Sequence, residues 1–294
     1  GGGGVVTRGV RGRPGLPPAG IFKAQRWGGV ARGVQARITC AMLSYQHAYH
    51  AGNAADVHKH AALAILLDML TRKARPVTYM ETHAGRGRYD LSGPEAAKTG
   101  EAAGGVVRAA LPEGPYAQAL SAIRARHGEA AYPGSPAIAA ERLRQDDRIA
   151  LMELHPGEHR ARKHALGARS EIHNRDGYEG VRALSPPKPR KGLVLVDPSY
   201  EIKSEYGEAA RFAVALMRRW PEASVMIWYP ILTTARHGGL LEGLKPLRPE
   251  IHEVPFPPTR EGGMVGSGLA LINPPYGAMS ALREGLAGIR GVFS

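Results

Sequence analysis

Five short apolar runs set the frame of this sequence: residues 77–81 (VTYME), 149–153 (IALME), 193–197 (LVLVD), 225–229 (VMIWY) and 268–272 (GLALI). None alternates cleanly between apolar and polar positions, which suits strands covered on both faces. Stretches of helical composition separate them, such as residues 208–219. Strand alternating with helix predicts an α/β fold on a mostly parallel sheet. A weaker strand is expected near 170–173. Ahead of the first run, residues 54–73 (AADVHKHAALAILLDMLTRK) read as a helix, with Asp56 as its N-terminal cap and Arg72 and Lys73 at its C-terminal end. From residue 61 to 70 it is apolar nearly all round, which predicts burial.

Acids stand at or just after the ends of these runs: Glu81, Glu153, Asp176 and Asp197. Ligands of open α/β sheets bind at the carboxyl ends of the strands, so a row of acids there predicts a polar cleft. The loop after the first run, ETHAGRGRYD, carries Gly85 and Gly87, which let the backbone turn tightly against a ligand. Residues 89–93 read as loop. In a dinucleotide fold an acid about 20 residues on holds the ribose. Here 66 residues separate Gly87 from Glu153. An insertion is therefore expected, a small helical subdomain over about 90–134 that closes with the turn-rich YPGSP.

Charge and composition narrow the partners. The 294 residues are 43% hydrophobic, enough for one sizeable core, and carry a net charge of +13. Seven of those positive charges lie in residues 1–41, which hold no Asp or Glu; without them the balance is +6. An anionic partner remains plausible, and so does a generic basic surface. Residues 1–41 are Gly- and Arg-rich and read as a disordered extension. They fit a basic arm, a transit peptide or sequence upstream of a start at Met42, and we prefer the last. The folded domain is then expected over 42–294. The single cysteine, Cys40, excludes an intrachain disulfide framework, and no apolar run approaches the ~20 residues of a membrane span.

The stretch LVLVDPSYE suggests chemistry. An exocyclic amino group on a base is a poor nucleophile, because its lone pair is delocalised into the ring. Asp197 and the carbonyl of Pro198 would accept its two hydrogens and hold the nitrogen, and Tyr200 would stack on the base, a contact worth about 1–3 kcal/mol. The electrophile would be the methyl of a sulfonium cofactor, and the gain lies in positioning and electrostatics. An ordinary Asp-Pro turn at a strand end explains the tetrapeptide alone equally well. A second stretch, LALINPPYG, has nearly the same design around Asn273.

The segments MLSYQHAYHAGNAADVHKH, ETHAGRGRY, YPGSP, ELHP, RDGYEG and LVDPSYE occur in an order that resembles the bacterial RlmJ-type enzymes, 23S rRNA adenine-N6 methyltransferases that use S-adenosylmethionine. The resemblance runs from Met42 to about Tyr276. It implies a class I, Rossmann-like methyltransferase fold with a helical insertion. Asp197 would be the catalytic acceptor and also touch the cofactor. His60, His83, Ser135, Glu153, Asp176 and Gly177 would line the cofactor pocket. Tyr45, Pro198 and Tyr200 would meet the substrate, and Lys59 would be a neighbour of the site. Ser199 stands where many relatives have proline. An Asn-Pro-Pro-aromatic stretch follows the last strand in this family, away from the catalytic position, so Asn273 is expected to be a decoy.

The resemblance further implies 23S rRNA as partner, a cytoplasmic monomer, no membrane and no metal. DNA adenine or protein glutamine are rival acceptors, since related tetrapeptides serve both. Two other classes compete. A metal-dependent hydrolase would use His47, His50, His58, His60 and His83. However, His58 and His60 diverge by about 200° on a helix, whereas a zinc site needs three or four converging ligands. A non-catalytic RNA-binding protein would explain the charge but not the acid row. Arg108, Arg124 and Arg126 of the insertion are expected to contact RNA.

Overall fold

The computed structural model describes residues 1–4, 50–258 and 263–293. Residues 5–41, Tyr45 and His47 lie outside the described residues.

The apolar runs form one seven-stranded sheet. In chain order its strands are β1 (Thr78–Glu81), β4 (Arg148–Met152), β5 (Glu171–His173), β6 (Gly192–Val196), β7 (Ala223–Leu232), β8 (Glu250–Pro255) and β9 (Met264–Ile272). Their spatial order is β5-β4-β1-β6-β7-β9-β8. Neighbours from β5 to β7 pair in parallel, whereas β9 runs antiparallel to both β7 and β8. The missing polar alternation has the expected cause. Leu193 and Leu195 face one apolar cluster, and Val194 and Val196 face another. Helix α1 (Ala54–Thr71), α3 (Pro115–His127), α4 (Ser135–Arg142) and α9 (Ala278–Ala287) cover the first face. With α5 (Pro156–Leu166) lying between β4 and β5 in the chain, α6 (Gly177–Leu184), α7 (Ser204–Arg219) and α8 (Gly238–Leu244) cover the second, giving three layers in a Rossmann-like arrangement.

Several local expectations need correction. Asn53, not Asp56, caps α1: its side chain accepts from the Asp56 backbone N–H, while Asp56 Oδ2 accepts from Gly52 N–H at 2.9 Å. The two side chains satisfy donors on either side of the helix start. Residues 89–93 are not all loop. Strand β2 (Arg88–Asp90) pairs antiparallel with β3 (Ala131–Pro133), which runs into the YPGSP return. Between them lie α2 (Pro94–Thr99) and α3, and Tyr116, Ala119 and Leu120 of α3 join the core beneath α1. Strand β8 went unpredicted. It is the sheet edge, its pattern EIHEVP mostly exposed, so it carries no apolar run to read.

Candidate active site

The strand order reverses between β1 and β6, the position where a crevice opens in a doubly wound sheet. A cavity of about 620 Å³ lies there, within the range of small-molecule and cofactor sites. Its walls come from the segments that follow the strands: Thr82 to Gly85 after β1, Glu153 to His155 after β4, Asp176 and Gly177 after β5, and Asp197 to Glu201 after β6. Trp228, Pro230 and Leu232 of β7 and Met264 of β9 close the far side. All the expected pocket residues that the structure describes reach this cavity: His60, His83, Ser135, Glu153, Asp176, Gly177, Asp197, Pro198 and Tyr200.

Asp197 is held by a buried cation. Lys59 Nζ lies 2.6 Å from Asp197 Oδ2 and 3.1 Å from Asp56 Oδ1, and Lys59 is only 3% exposed. Its ammonium also lies 5.3 Å from the centre of the Trp228 ring. One ammonium thus contacts two carboxylates. Pro198 fixes the next turn, and Tyr200 follows at φ +55°, a left-handed conformation that a non-glycine residue rarely adopts. This strain sits within the candidate catalytic tetrapeptide. The Tyr200 ring packs between Tyr206 and Trp228, and its hydroxyl donates to the Trp228 carbonyl at 2.8 Å. At 4% exposure, Tyr200 offers the cavity a limited part of its ring rather than an open stacking face.

The opposite side is built from glycine turns and acids. Gly85 has φ +58°, and its N–H donates to Glu153 Oε2 at 2.8 Å. The other oxygen accepts from His155 N–H at 2.8 Å, so Glu153 ties the first loop to its own. Asp176 caps α6 by accepting from Glu179 N–H. At Gly177 a Cβ would stand 1.9 Å from the Thr82 carbonyl oxygen, so only glycine lets these two walls meet. The His83 Nδ1 hydrogen-bonds Thr82 Oγ1 at 2.8 Å. Burial lowers the His83 pKa, opposed by the charges of Glu153, Asp197 and Asp176. His60 Nδ1 meets the Tyr132 hydroxyl at 2.8 Å.

Glu81 departs from the row of acids. It is 0% exposed and lies behind the cavity wall, accepting from the Tyr79 hydroxyl at 2.9 Å and from Ser135 Oγ. Burial pushes its pKa up to about 8, against the lowering effect of the Ser135 bond. The folded protein therefore keeps a proton here that the unfolded chain releases near 4.5. The stabilisation is full below that pH and is lost as pH rises through 8. Glu81→Gln should flatten this slope of a few kcal/mol, measured as urea unfolding free energy from roughly pH 5 to 8.5. A wild-type curve as flat as the variant's would refute the neutral carboxyl.

Comparison with known proteins follows the same outline. A family model described as RsmJ: Ribosomal RNA large subunit methyltransferase D, RlmJ, matches residues 74–291. The chain is 36% identical over 258 residues to ribosomal RNA large subunit methyltransferase J of Haemophilus influenzae, covering 83% of this chain and 91% of the relative. It belongs to the RlmJ family. The Escherichia coli protein of the same name is 34% identical, with coverage of 80% and 88%. A crystal structure from Legionella pneumophila superposes with a TM-score of 0.74 at 33% identity, covering 83% of this chain and 96% of that one.

In this RlmJ-family chain the sequence underrated Lys59 and missed Asp56 and Trp228 at the site. A lysine and an aspartate three apart within an apolar helix are the legible signal, because a buried charge needs a partner. Asn273 proves remote. Because β9 runs antiparallel to β7, its carboxyl end lies at the opposite edge of the sheet. There the Asn273 amide donates to the Ala223 carbonyl at 3.0 Å. Asn273→Ala should leave methyl transfer unchanged and cost about 1–2 kcal/mol in urea unfolding, from the lost bond and the left-handed backbone at φ +49°. A large fall in transfer without unfolding would overturn the assignment. Of the described candidate histidines, His50, His60 and His83 line the cavity and His58 does not. His60 faces the cavity, while His58 meets Ser267 and His252. Among the described residues no group of three or more His, Cys, Asp or Glu could hold a metal ion, and no helix is long and apolar enough to cross a membrane.

Proposed function

We propose that this protein transfers the methyl group of S-adenosylmethionine to the N6 amino group of an adenine in 23S rRNA. The observation that carries the reading is Asp197 at the switch-point crevice, with one carboxylate oxygen held by Lys59 and the other without a hydrogen-bond partner among the described residues. Oδ1 and the Pro198 carbonyl then accept the two amino hydrogens and turn the nitrogen lone pair toward the methyl carbon. The new N–C bond forms as the S–C bond breaks. The amine loses one proton, which the Asp197 carboxylate would take up.

The cofactor supplies the electrophilic methyl. Glu153 suits the ribose end, Asp176 and Gly177 the adenine end, and His83, Ser135 and His60 the remaining wall. The Asp197 carboxylate at the cavity wall complements the sulfonium. The charge outside residues 1–41 supports an anionic substrate. Arg108 lines the cavity and is a candidate phosphate contact, whereas Arg126 is occupied by Glu141. The expected working form is a monomer in the cytoplasm, with Tyr45 meeting the RNA.

The test is transfer of labelled methyl to unmodified 23S rRNA beside duplex DNA and protein controls, with the modified nucleosides then identified. N6-methyladenosine from RNA alone is the expected product. Label in DNA or protein instead would replace the acceptor, and no label anywhere, from folded protein that binds the cofactor, would remove the reading.

A further inference from the structure

We infer that Ser267 and His58 are positioning residues for the acceptor side of the site, holding the Trp228 indole as a wall of the target-base pocket. The inference rests on the base-methylation reading above. Trp228 Nε1 donates to Ser267 Oγ at 2.9 Å, and Ser267 Oγ lies 2.8 Å from His58 Nδ1. His58 Nε2 lies 3.0 Å from His252 Nδ1 on the edge strand β8. Ser267 and His58 are both 0% exposed, and the Phe293 ring packs edge-on to His58.

The donors fix the direction of this chain. An indole N–H only donates, so Ser267 Oγ accepts from Trp228. The serine hydroxyl hydrogen then goes to His58 Nδ1. His58 carries its own hydrogen on Nε2 and donates it to His252. The reverse arrangement leaves the serine hydroxyl hydrogen without an acceptor among the described residues, a costly state for a buried group. Burial lowers the pKa of both histidines, and Arg283 adds to the effect at His252. Burial thus favours the neutral form of both rings, which the chain requires.

A core tryptophan needs one acceptor for its N–H. Here a fully connected network of four side chains spans from the sheet edge to the cavity, which specifies one orientation of the ring. That orientation matters at the site. The indole faces Lys59 Nζ, the cation that holds Asp197, and stands 5.9 Å from the Tyr200 ring. Tyr200 exposes little surface to the cavity, so the Trp228 ring supplies aromatic wall that Tyr200 alone does not.

Two measurements test this. In the wild-type protein, nitrogen-15 spectra of the histidine side chains should show His58 neutral with its proton on Nε2; a proton on Nδ1 overturns the chain. In Ser267→Ala, the Trp228 indole N–H resonance, one of three tryptophan signals, should move, and kcat/KM for RNA methylation should fall about tenfold. The cofactor dissociation constant should stay within about twofold, a split that general loss of structure would not give. Trp228→Phe keeps a ring and removes the N–H, and should show the same split; it decides the matter if Ser267→Ala fails to fold. Unchanged kinetics in both variants overturn the inference. If the wild-type protein methylates no RNA at all, the functional reading fails instead, and the histidine spectrum still judges the hydrogen-bond chain.

Discussion

Asp197→Ala should lower the single-turnover rate of RNA methylation by about a thousandfold, the scale on which removing one preorganised electrostatic contact acts. The expectation follows from what the neighbours do to this carboxylate. Lys59 Nζ, at 2.6 Å, occupies Oδ2 and aims the other oxygen into the cavity. The Pro198 carbonyl follows on a backbone stiffened by the proline ring. Alanine removes the side-chain acceptor, so the amino group loses the contact that orients its lone pair. Asp197→Asn keeps a carbonyl oxygen but loses the charge that pairs with Lys59, and should fall by only about ten- to a hundredfold. Labelled cofactor in excess over RNA, with cofactor affinity measured separately, distinguishes chemistry from binding. Alanine and asparagine variants of equal, near wild-type rate would remove Asp197 from the reaction.

The sheet was legible because its strands are buried on both faces. Continuous runs such as LVLVD need no partner to be recognised, whereas β8 spends its side chains on solvent and leaves no such trace. The hairpin of β2 and β3 was hidden for a different reason: three residues per strand give too little pattern to set against a glycine-rich loop. At the site, the strand-end acids Glu153, Asp176 and Asp197 could be placed from topology alone, since parallel strands deliver their carboxyl ends to one edge. Glu81 obeys the same rule in sequence but lies behind the wall, because the orientation of a side chain at a strand end is not written in a residue count. Asn273 shows the complementary limit. Its tetrapeptide resembles that of Asp197, and only the antiparallel course of β9 sends it to the opposite edge. The Trp228 network joins residues far apart in the chain, 228 with 267, 58 and 252, and no local motif announces it.

Lys59→Met should destabilise the fold by about 3–5 kcal/mol in urea unfolding, because it removes the ammonium that contacts two carboxylates in a buried site. Asp56 is 2% exposed, and Lys59 Nζ is 3.1 Å from it. Asp197 has 12% of its side chain exposed. Methionine fills a similar volume, so the loss reports the missing ion pairs rather than a cavity. The double variant Lys59→Met with Asp197→Asn discriminates further. Asparagine carries no charge to strand, so part of the lost stability should return, with a coupling of about 1–3 kcal/mol between the two positions. Strict additivity would mean that Lys59 and Asp197 do not act as a pair. Activity should behave differently from stability in this cycle. The double variant regains stability but not methyl transfer, since neither the charge on residue 197 nor the cation that aims it is restored. The same ion pair thus has separable consequences: in the folded state it offsets the cost of burying Asp197, and in the reaction it sets where the free oxygen points.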